Sequence, residues 1–369
     1  MIKKLTLILF ITLLVSAILV SCSKSTSISK ISIEKIRAKL EAGEAFEQKD
    51  LTSNSKFDPY LNDKWIGNAI SYGCYRTGQA PGNIGPSKEE ILEDLNIIMN
   101  HWNLIRVYNA DDDSERLLEV IRENNIPVKM MLGIWLANEE KDPETKKSNI
   151  TNALRCIELA NKFPDIIIAV NVGNETQVFW SWHRMKTENL IRYIRAVRNN
   201  ITIPVTTADD YNFWNMPESR AVAAEIDFIV THIYPLWNGK TLENAIEWLD
   251  ENYQDVKRNH PEKQLVLGEI GWATVYNADK KGDGEQGSLI KGDVSIKAQG
   301  KFLIELNKWV NDNKVTTFFF EAFDEPWKGG GEDSGPNEIE KNWGIFYEDR
   351  TPKESFQNFI IHSELMHEK

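Results

Sequence analysis

Cysteine, histidine and positive charge are all scarce in this chain of 369 residues, and each shortage closes off a class of function. Three cysteines cannot build a disulfide framework, and no CxxC pair or Cys/His cluster offers zinc spacing. Apart from Cys22, which belongs to the N-terminal segment, the cysteines are Cys74 and Cys156. They fall on an expected first strand and an expected third helix, so both are expected to be free and buried. The six histidines show no ligand pattern. Lysine and arginine number 43 against 55 aspartates and glutamates, a formal net charge of −12. A surface of that sign repels phosphate backbones, so nucleic acid is not expected as a partner. Aromatic residues, by contrast, are plentiful. Twelve tryptophans are present, and indole faces suit the apolar faces of sugar rings, although most tryptophans of any chain go to its core.

The chain opens "MIKKLTLILFITLLVSAILVSC", where Lys3 and Lys4 precede an apolar stretch from Leu5 to Val20 that ends in small residues. That is the layout of a secretory signal. The ending "LVSC" resembles the lipobox of bacterial lipoproteins, which implies cleavage before Cys22 and acylation of the new N-terminus. An uncleaved signal anchor is the alternative, and either places the bulk of the chain outside the cytoplasm. Residues 1–21 are thus expected to be the signal, 22–60 a lipidated tether and extension, and 61–369 the folded domain. The expected location is the cell envelope, lipid-anchored to the outer membrane. "SKST" after Cys22 carries no acidic run, which favours the periplasmic face over the outer surface. "SKSTSISK" reads as a polar tether. Ile33, Ile36 and Leu40 then recur at helical spacing, as a docked helix or a stalk.

From Trp65 onward, short apolar runs alternate with amphipathic, charge-rich segments, the pattern of a parallel sheet with crossover helices. The runs are "WIGNAISYGCY", "LIRVYNA", "PVKMMLGIW", "IIIAVNVGNE", "PVTTADD", "FIVTHIYPLW", "QLVLGEIGW" and "VTTFFFEAFD". Helices are expected over 88–101, 114–124, 150–163, 188–199, 219–225, 242–258, 293–312 and from 353 on. Eight strand-then-helix repeats in roughly 300 residues fit a single-domain (β/α)8 barrel of the TIM type. A doubly wound open sheet is the rival, but "YGCYRTGQAPG" leads to Pro86 rather than directly into a helix, unlike a phosphate-binding turn.

A barrel gathers its strand ends on one face, which would bring together Tyr75, Tyr108, Asp111, Asn174, Glu175, Tyr234, Glu269, Trp272, Glu321 and Asp324. Two of these stand out. Glu175 ends the fourth apolar strand and Glu269 the seventh, each without a basic neighbour in sequence. Strands four and seven face one another across the mouth, so their carboxyls can converge on one bond from opposite sides. Glycoside hydrolysis needs such a pair, one carboxyl protonated and one ionised. Two unrelated rim carboxylates capping helices are the plainer reading.

"NVGNE" and "GEIGW" resemble the two active-site signatures of glycoside hydrolase family 17, a retaining β-glucanase family built on (β/α)8 barrels. "YGCYRTGQAPG", "IRVYNAD", "THIYPLW" and "FFFEAFDEPWKGGG" with "EKNWGIF" resemble its other motifs in the correct order. The resemblance implies that Glu175 is the acid/base and Glu269 the nucleophile. It further implies that Tyr234 keeps the nucleophile ionised and that Asn174 holds the sugar 2-hydroxyl. Trp272 would form a stacking wall, and Trp343 would close the glycone side. Glu321, Asp324 and Lys328 would bind sugar hydroxyls, with Tyr75, Gln79, Tyr108 and Asp111 as further contacts. Packing for the tryptophans, and an internal ion-pair network for the charged group, are the alternatives. Ile270 stands where many members carry threonine, which puts acceptor-side details in doubt. The segment 278–293, "ADKKGDGEQGSLIKGD", is long and Gly-rich and is expected to shape the cleft; its acids lack the alternation of a calcium loop.

The expectation is therefore a retaining β-1,3-glucanase that acts on β-glucan polysaccharide or oligosaccharide. It should work as a monomer without metal or organic cofactor and be held to a membrane by lipid on Cys22. A glucanosyltransferase with the same two glutamates, and a non-catalytic surface glycan-binding lipoprotein, are the rivals.

Overall fold

The computed structural model describes residues 30–140, 142–276, 290–328, 337–357 and 359–360. The expected signal, Cys22 and most of the Gly-rich segment 278–293 lie outside the described residues.

Eight parallel strands close into a barrel: β1 (Asn68–Ser71), β2 (Leu104–Val107), β3 (Lys129–Ile134), β4 (Ile167–Asn174), β5 (Val205–Asp210), β6 (Ile229–His232), β7 (Leu265–Ile270) and β8 (Thr317–Phe319). Each pairs with its neighbour in sequence, and β8 returns to β1, so the open-sheet alternative is excluded. Every expected apolar run contains one of these strands. The ring of helices comprises α2 (Lys88–Ile98), α3 (Asp112–Glu123), α4 (Pro143–Lys162), α5 (Thr187–Arg198), α6 (Tyr211–Trp214), α7 (Ser219–Ala223), α8 (Leu242–Asn259) and α9 (Ile296–Asn313). A short α10 (Asn337–Glu340) follows β8. The largest departure from the sequence pattern is α4, which begins two turns before the expected residue 150. Its first turns are polar, and their signal is the cap: Asp142 accepts from the amides of Glu144 and Thr145, and Pro143 sits where no amide hydrogen is needed.

Two apolar layers explain the shape. One lies between strands and helices and includes Ile105, Met130, Val170, Leu190, Ile229 and Phe302. The other fills the barrel floor with Ala69, Leu104, Met131, Ala169, Val230, Val266 and Phe318. Side chains alternate along a strand, so inward positions follow at steps of two. Leu104 on β2 is succeeded by Arg106, and Val230 on β6 by His232. The interior thus turns from apolar at its floor to polar at its mouth. Cys74 and Cys156 are both free and buried, as the sequence reading expects.

The segment before the barrel is not a free stalk. Helix α1 (Lys30–Glu41) packs on α4 and α5 and buries Ile33, Ile36 and Leu40. The chain then runs under the barrel, with Arg195 and Arg198 donating to the carbonyls of Phe46 and Leu51 at 3.1 and 3.0 Å. Phe57 stacks on Phe228 at 4.5 Å and closes the floor. Among the described residues, no helix is long and apolar enough to cross a membrane.

Leu40 is fully buried against the barrel's flank. Leu40→Ala should therefore lower the unfolding free energy by about 2–5 kcal/mol, read from a urea titration. An unchanged midpoint and slope would show that α1 contributes nothing to the folded unit.

Candidate active site

The stretch that carries Glu175 is shaped by its backbone. The register of β4 against β5 shifts between Asn171 and Asn174, the mark of a bulge. Gly173 takes φ +84°, and a Cβ there would press on Thr176 and Leu190 at 3.1 and 3.2 Å. Glu175 itself has φ +49°, a left-handed conformation that costs a side-chain-bearing residue about 1–2 kcal/mol. Its amide donates to the Ala208 carbonyl at 2.8 Å, which holds the turn. The consequence is a carboxyl aimed over the barrel mouth. Such strain at a rim carboxyl is typical of functional positions.

Glu269 approaches from β7 on the opposite side. One carboxylate oxygen from each glutamate and one nitrogen of His232 all lie within 4.8 Å of one another. Arg106, fully buried on β2, donates to Glu269 Oε1 at 2.8 Å, to the Gly268 carbonyl at 2.8 Å and to Asn174 Oδ1 at 2.6 Å. Tyr234 donates its hydroxyl to Glu269 Oε2 at 2.8 Å. His232 stands between the two carboxyls, with Nδ1 at 3.0 Å from Glu175 Oε1 and Nε2 at 3.5 Å from Glu269 Oε1. Gly268 leaves space beside that ring, since a Cβ there would collide with Val230 at 2.2 Å and lie 3.1 Å from the imidazole.

These surroundings drive the two glutamates apart in acidity. Burial, followed by the charges of Glu269 and Asp210, holds the Glu175 carboxyl well above its ordinary range. Burial also acts against the charge of Glu269, but His232 when protonated, the Arg106 guanidinium and the Tyr234 hydroxyl together hold its carboxyl below the ordinary range. Burial lowers His232 and outweighs the opposing pull of the Glu269 charge, with Arg106 acting in the same direction as burial, so the imidazole is neutral near pH 7. One carboxyl is thus kept as an acid and the other as an anion. The three clustered groups have the donor atoms of a cation site, but the permanent charge of Arg106 already occupies one oxygen of Glu269 and opposes a second cation.

The remaining residues singled out from the sequence divide into two groups. Tyr234 touches Glu269 directly, Asn174 reaches the pair through Arg106, and Tyr108 borders it, with its ring under the Arg106 guanidinium at 4.6 Å and its hydroxyl on Ser71 at 3.1 Å. Glu321 and Lys328 also lie at the mouth, but they spend their charge on each other: Lys328 Nζ is 2.7 Å from both Glu321 oxygens and 2.5 Å from Glu325. This is the internal ion-pair alternative. Burial and Glu325 raise the Glu321 carboxyl well above its ordinary value.

Five expectations are corrected. Asp324 does not face a sugar, because it accepts from Lys353 at 2.7 Å and from the Gly344 amide at 2.9 Å. Trp272 is no open wall: its ring is wholly buried against Phe302 and its indole N–H is given to the Asp293 carbonyl at 2.8 Å. Trp343 is likewise wholly buried, packed edge-on to Tyr234 and Phe320, so it shapes the site from behind. Asp111 caps α3 through the Ser114 amide, while the Tyr75 hydroxyl is held by Asp113.

Several residues of the site escape the sequence reading. Arg106 and His232 carry the clearest missed signal, a charged or titratable residue at an inward position of an otherwise apolar strand. Such a group cannot be buried without a partner. Asp209, whose carboxyl burial lifts to about 8, accepts from the Gln177 and Val178 amides and so clamps the turn after Glu175. Glu325 and Glu340 flank Lys328, and Glu340 is raised chiefly by burial. Among the described residues the exposed aromatics are Tyr60, Phe179, Trp180, Trp182, Trp327 and Tyr347, none of them an aromatic singled out as a sugar contact.

The chain can now be set beside known proteins. It is 30% identical over 272 residues to the putative glucan endo-1,3-beta-glucosidase btgC of Aspergillus niger, covering 70% of this chain and 38% of that one. A glucan 1,3-beta-glucosidase of Arthroderma benhamiae is 27% identical, covering 71% of this chain and 82% of the relative. This chain therefore spans well under two thirds of the btgC proteins it matches. Among solved structures, an endo-laminarinase from Formosa Hel1_33_131 superposes with a TM-score of 0.66 at 22% identity, over 81% of this chain and 88% of that one. A glycoside hydrolase family 17 beta-1,3-glucanosyltransferase from Rhizomucor miehei gives 0.61 at 24% identity, over 78% and 96%. Both share the fold. Residues 69–344, which include every strand of the barrel except the first residue of β1, match the model of the BtgE/BtgC glycoside hydrolase domain, and the chain belongs to that family.

Proposed function

We propose that this chain is a retaining β-1,3-glucanase of glycoside hydrolase family 17, acting as a monomer and anchored to the outer membrane by lipid on Cys22. The observation that carries the catalytic part is the pair Glu175 and Glu269, with oxygens within 4.8 Å and acidities driven in opposite directions. Retaining enzymes hold their carboxyls about 5–5.5 Å apart, whereas inverting ones leave room for water between them. The substrate reading is supported by relatives named for β-1,3-glucan and by a fold neighbour solved with laminaritriose. The anchor is supported by the sequence alone.

The geometry supplies each step of a double displacement. Glu269 enters as a carboxylate, because Arg106 and Tyr234 hold its two oxygens, and it attacks the anomeric carbon. As the glycosidic bond breaks, Glu175 passes its proton to the leaving oxygen. Asn174 Oδ1 accepts from Arg106, so the Nδ2 donor is the end left to face a sugar 2-hydroxyl, where a hydrogen bond strengthens as positive charge develops. Once Glu269 is esterified its negative charge is gone, and one of the influences that raised Glu175 disappears. Glu175 is then a carboxylate able to take a proton from water. Water attacks the same carbon, the ester bond breaks, and the product keeps its configuration.

Four outcomes test the pair. Activity should follow a bell-shaped pH profile, rising as Glu269 loses its proton and falling as Glu175 loses its own. In Glu269→Gln the neighbouring charge is absent, so carbon-13 NMR should find Glu175 titrating at lower pH than in the unmodified protein; an equal or higher value would remove the electrostatic argument. Glu175→Gln should slow release of short oligosaccharides from linear β-1,3-glucan by roughly 10²–10⁴-fold while binding persists. Products of the unmodified enzyme should appear first as the β-anomer in proton NMR, and an initial α-anomer would rule out retention.

The anchor has its own test. Cys22→Ala should move the protein from the detergent to the aqueous phase on detergent partitioning, and unchanged partitioning would eliminate lipid on Cys22.

A further inference from the structure

The loop between β4 and α5 shows three large aromatic side chains to solvent within four positions. Phe179 is 73% exposed, Trp180 47% and Trp182 83%. Rings exposed to this extent are unusual, and a cluster of them marks a surface that is covered in use.

The loop is not simply loose. The Gln177 and Val178 amides are held by the buried Asp209 carboxyl at 2.8 and 3.1 Å. Gln177 also ties the two ends of the loop together, donating to the Met185 carbonyl at 3.1 Å and accepting from Thr187 at 2.7 Å. His183, buried, places Nε2 at 2.7 Å from the Asn174 carbonyl and Nδ1 at 3.2 Å from the Ser181 hydroxyl. Its ring lies between those of Trp135 and Trp182, with centroids at 4.7 and 4.9 Å. The loop backbone that carries all three rings is therefore held in place, and the Trp182 ring is tied through His183 to the carbonyl of Asn174, the residue that precedes Glu175. A fixed aromatic surface binds without the entropic penalty of ordering a flexible one.

Position assigns the occupant. Glu175 delivers its proton to the leaving oxygen, so the segment that bears Glu175 borders the leaving side of the scissile bond rather than the side attacked by Glu269. Indole and phenyl faces suit the apolar faces of neutral sugar rings. The chain's net charge of −12 disfavours an anionic lipid surface as the alternative occupant.

We propose that Phe179, Trp180 and Trp182 form a platform for the leaving-side sugars of a β-1,3-glucan, an assignment that rests on the glucanase reading above. The same platform receives an incoming sugar after the first product leaves. Such an acceptor attacks the anomeric carbon through one hydroxyl oxygen, the bond to Glu269 breaks, and the hydroxyl proton passes to Glu175. Transfer then competes with hydrolysis in proportion to how well the platform is filled.

The test uses the full-length protein and a Trp180→Ala/Trp182→Ala variant with matched circular dichroism and melting temperature. The ratio of kcat/KM for laminarihexaose over laminaritriose should fall about tenfold in the variant, and products longer than the hexaose should fall relative to water-derived ends. An unchanged ratio and unchanged product lengths would overturn the platform while leaving the glucanase reading intact. Should the unmodified protein cleave no β-1,3-glucan, that reading fails instead, and calorimetric titration with laminarihexaose decides the platform: about tenfold weaker binding in the variant supports it, equal binding overturns it. Loss of binding to phosphatidylglycerol vesicles, with glucan binding and cleavage unaltered, would reassign the rings to a membrane surface.

Discussion

A permanently charged guanidinium lies wholly buried inside the barrel, and most of the site is arranged around satisfying it. Arg106 reaches from β2 to β4 through Asn174 and to β7 through Gly268 and Glu269. An unpaired buried charge is among the most costly features a fold can carry, so these contacts bind the strands that bear both candidate catalytic glutamates. The ionised state of Glu269 is thus part of the barrel's internal electrostatic balance. The raised pKa of Glu175 follows in turn, because burial and the neighbouring anion together disfavour a second negative charge. Removing Arg106 would disturb geometry and acidity at once.

A second network lies beside it. Glu321, Glu325 and Lys328 place two carboxyls against one ammonium, and Glu340 approaches from α10. Burial keeps Glu321 from ionising easily while Lys328 holds Glu325 as an anion. The mouth of the barrel therefore carries fewer net charges than its composition suggests. This matters for a neutral ligand, since hydroxyl groups must displace no tightly held counter-ions to reach it.

The barrel was legible in the sequence because each buried strand leaves a continuous apolar run, and a run of four to eight residues survives any uncertainty about its ends. Glu175 and Glu269 were legible because each breaks such a run at the end where barrels expose their strands. Arg106 and His232 were not, although both stand in runs quoted from the sequence. Their partners are 163 and 57 residues away, and a one-dimensional pattern does not say which side chains share the interior. Trp272, Trp343 and Asp324 were misplaced for a related reason. Motif position puts a residue near a site but does not say which way a ring or carboxyl turns, and here packing and Lys353 take them. The exposed rings of "VFWSW" carried the opposite signal, aromatics with no helical or strand periodicity, which a buried segment would not show.

Glu175 occupies a backbone conformation that glycine or asparagine would adopt with less strain. Stability and chemistry thus pull in opposite directions at this position, and a search for thermostable variants that ignored turnover would be drawn toward replacing the very carboxyl the site is built around. A chain that retains glutamate there is one in which folding alone did not choose the residue.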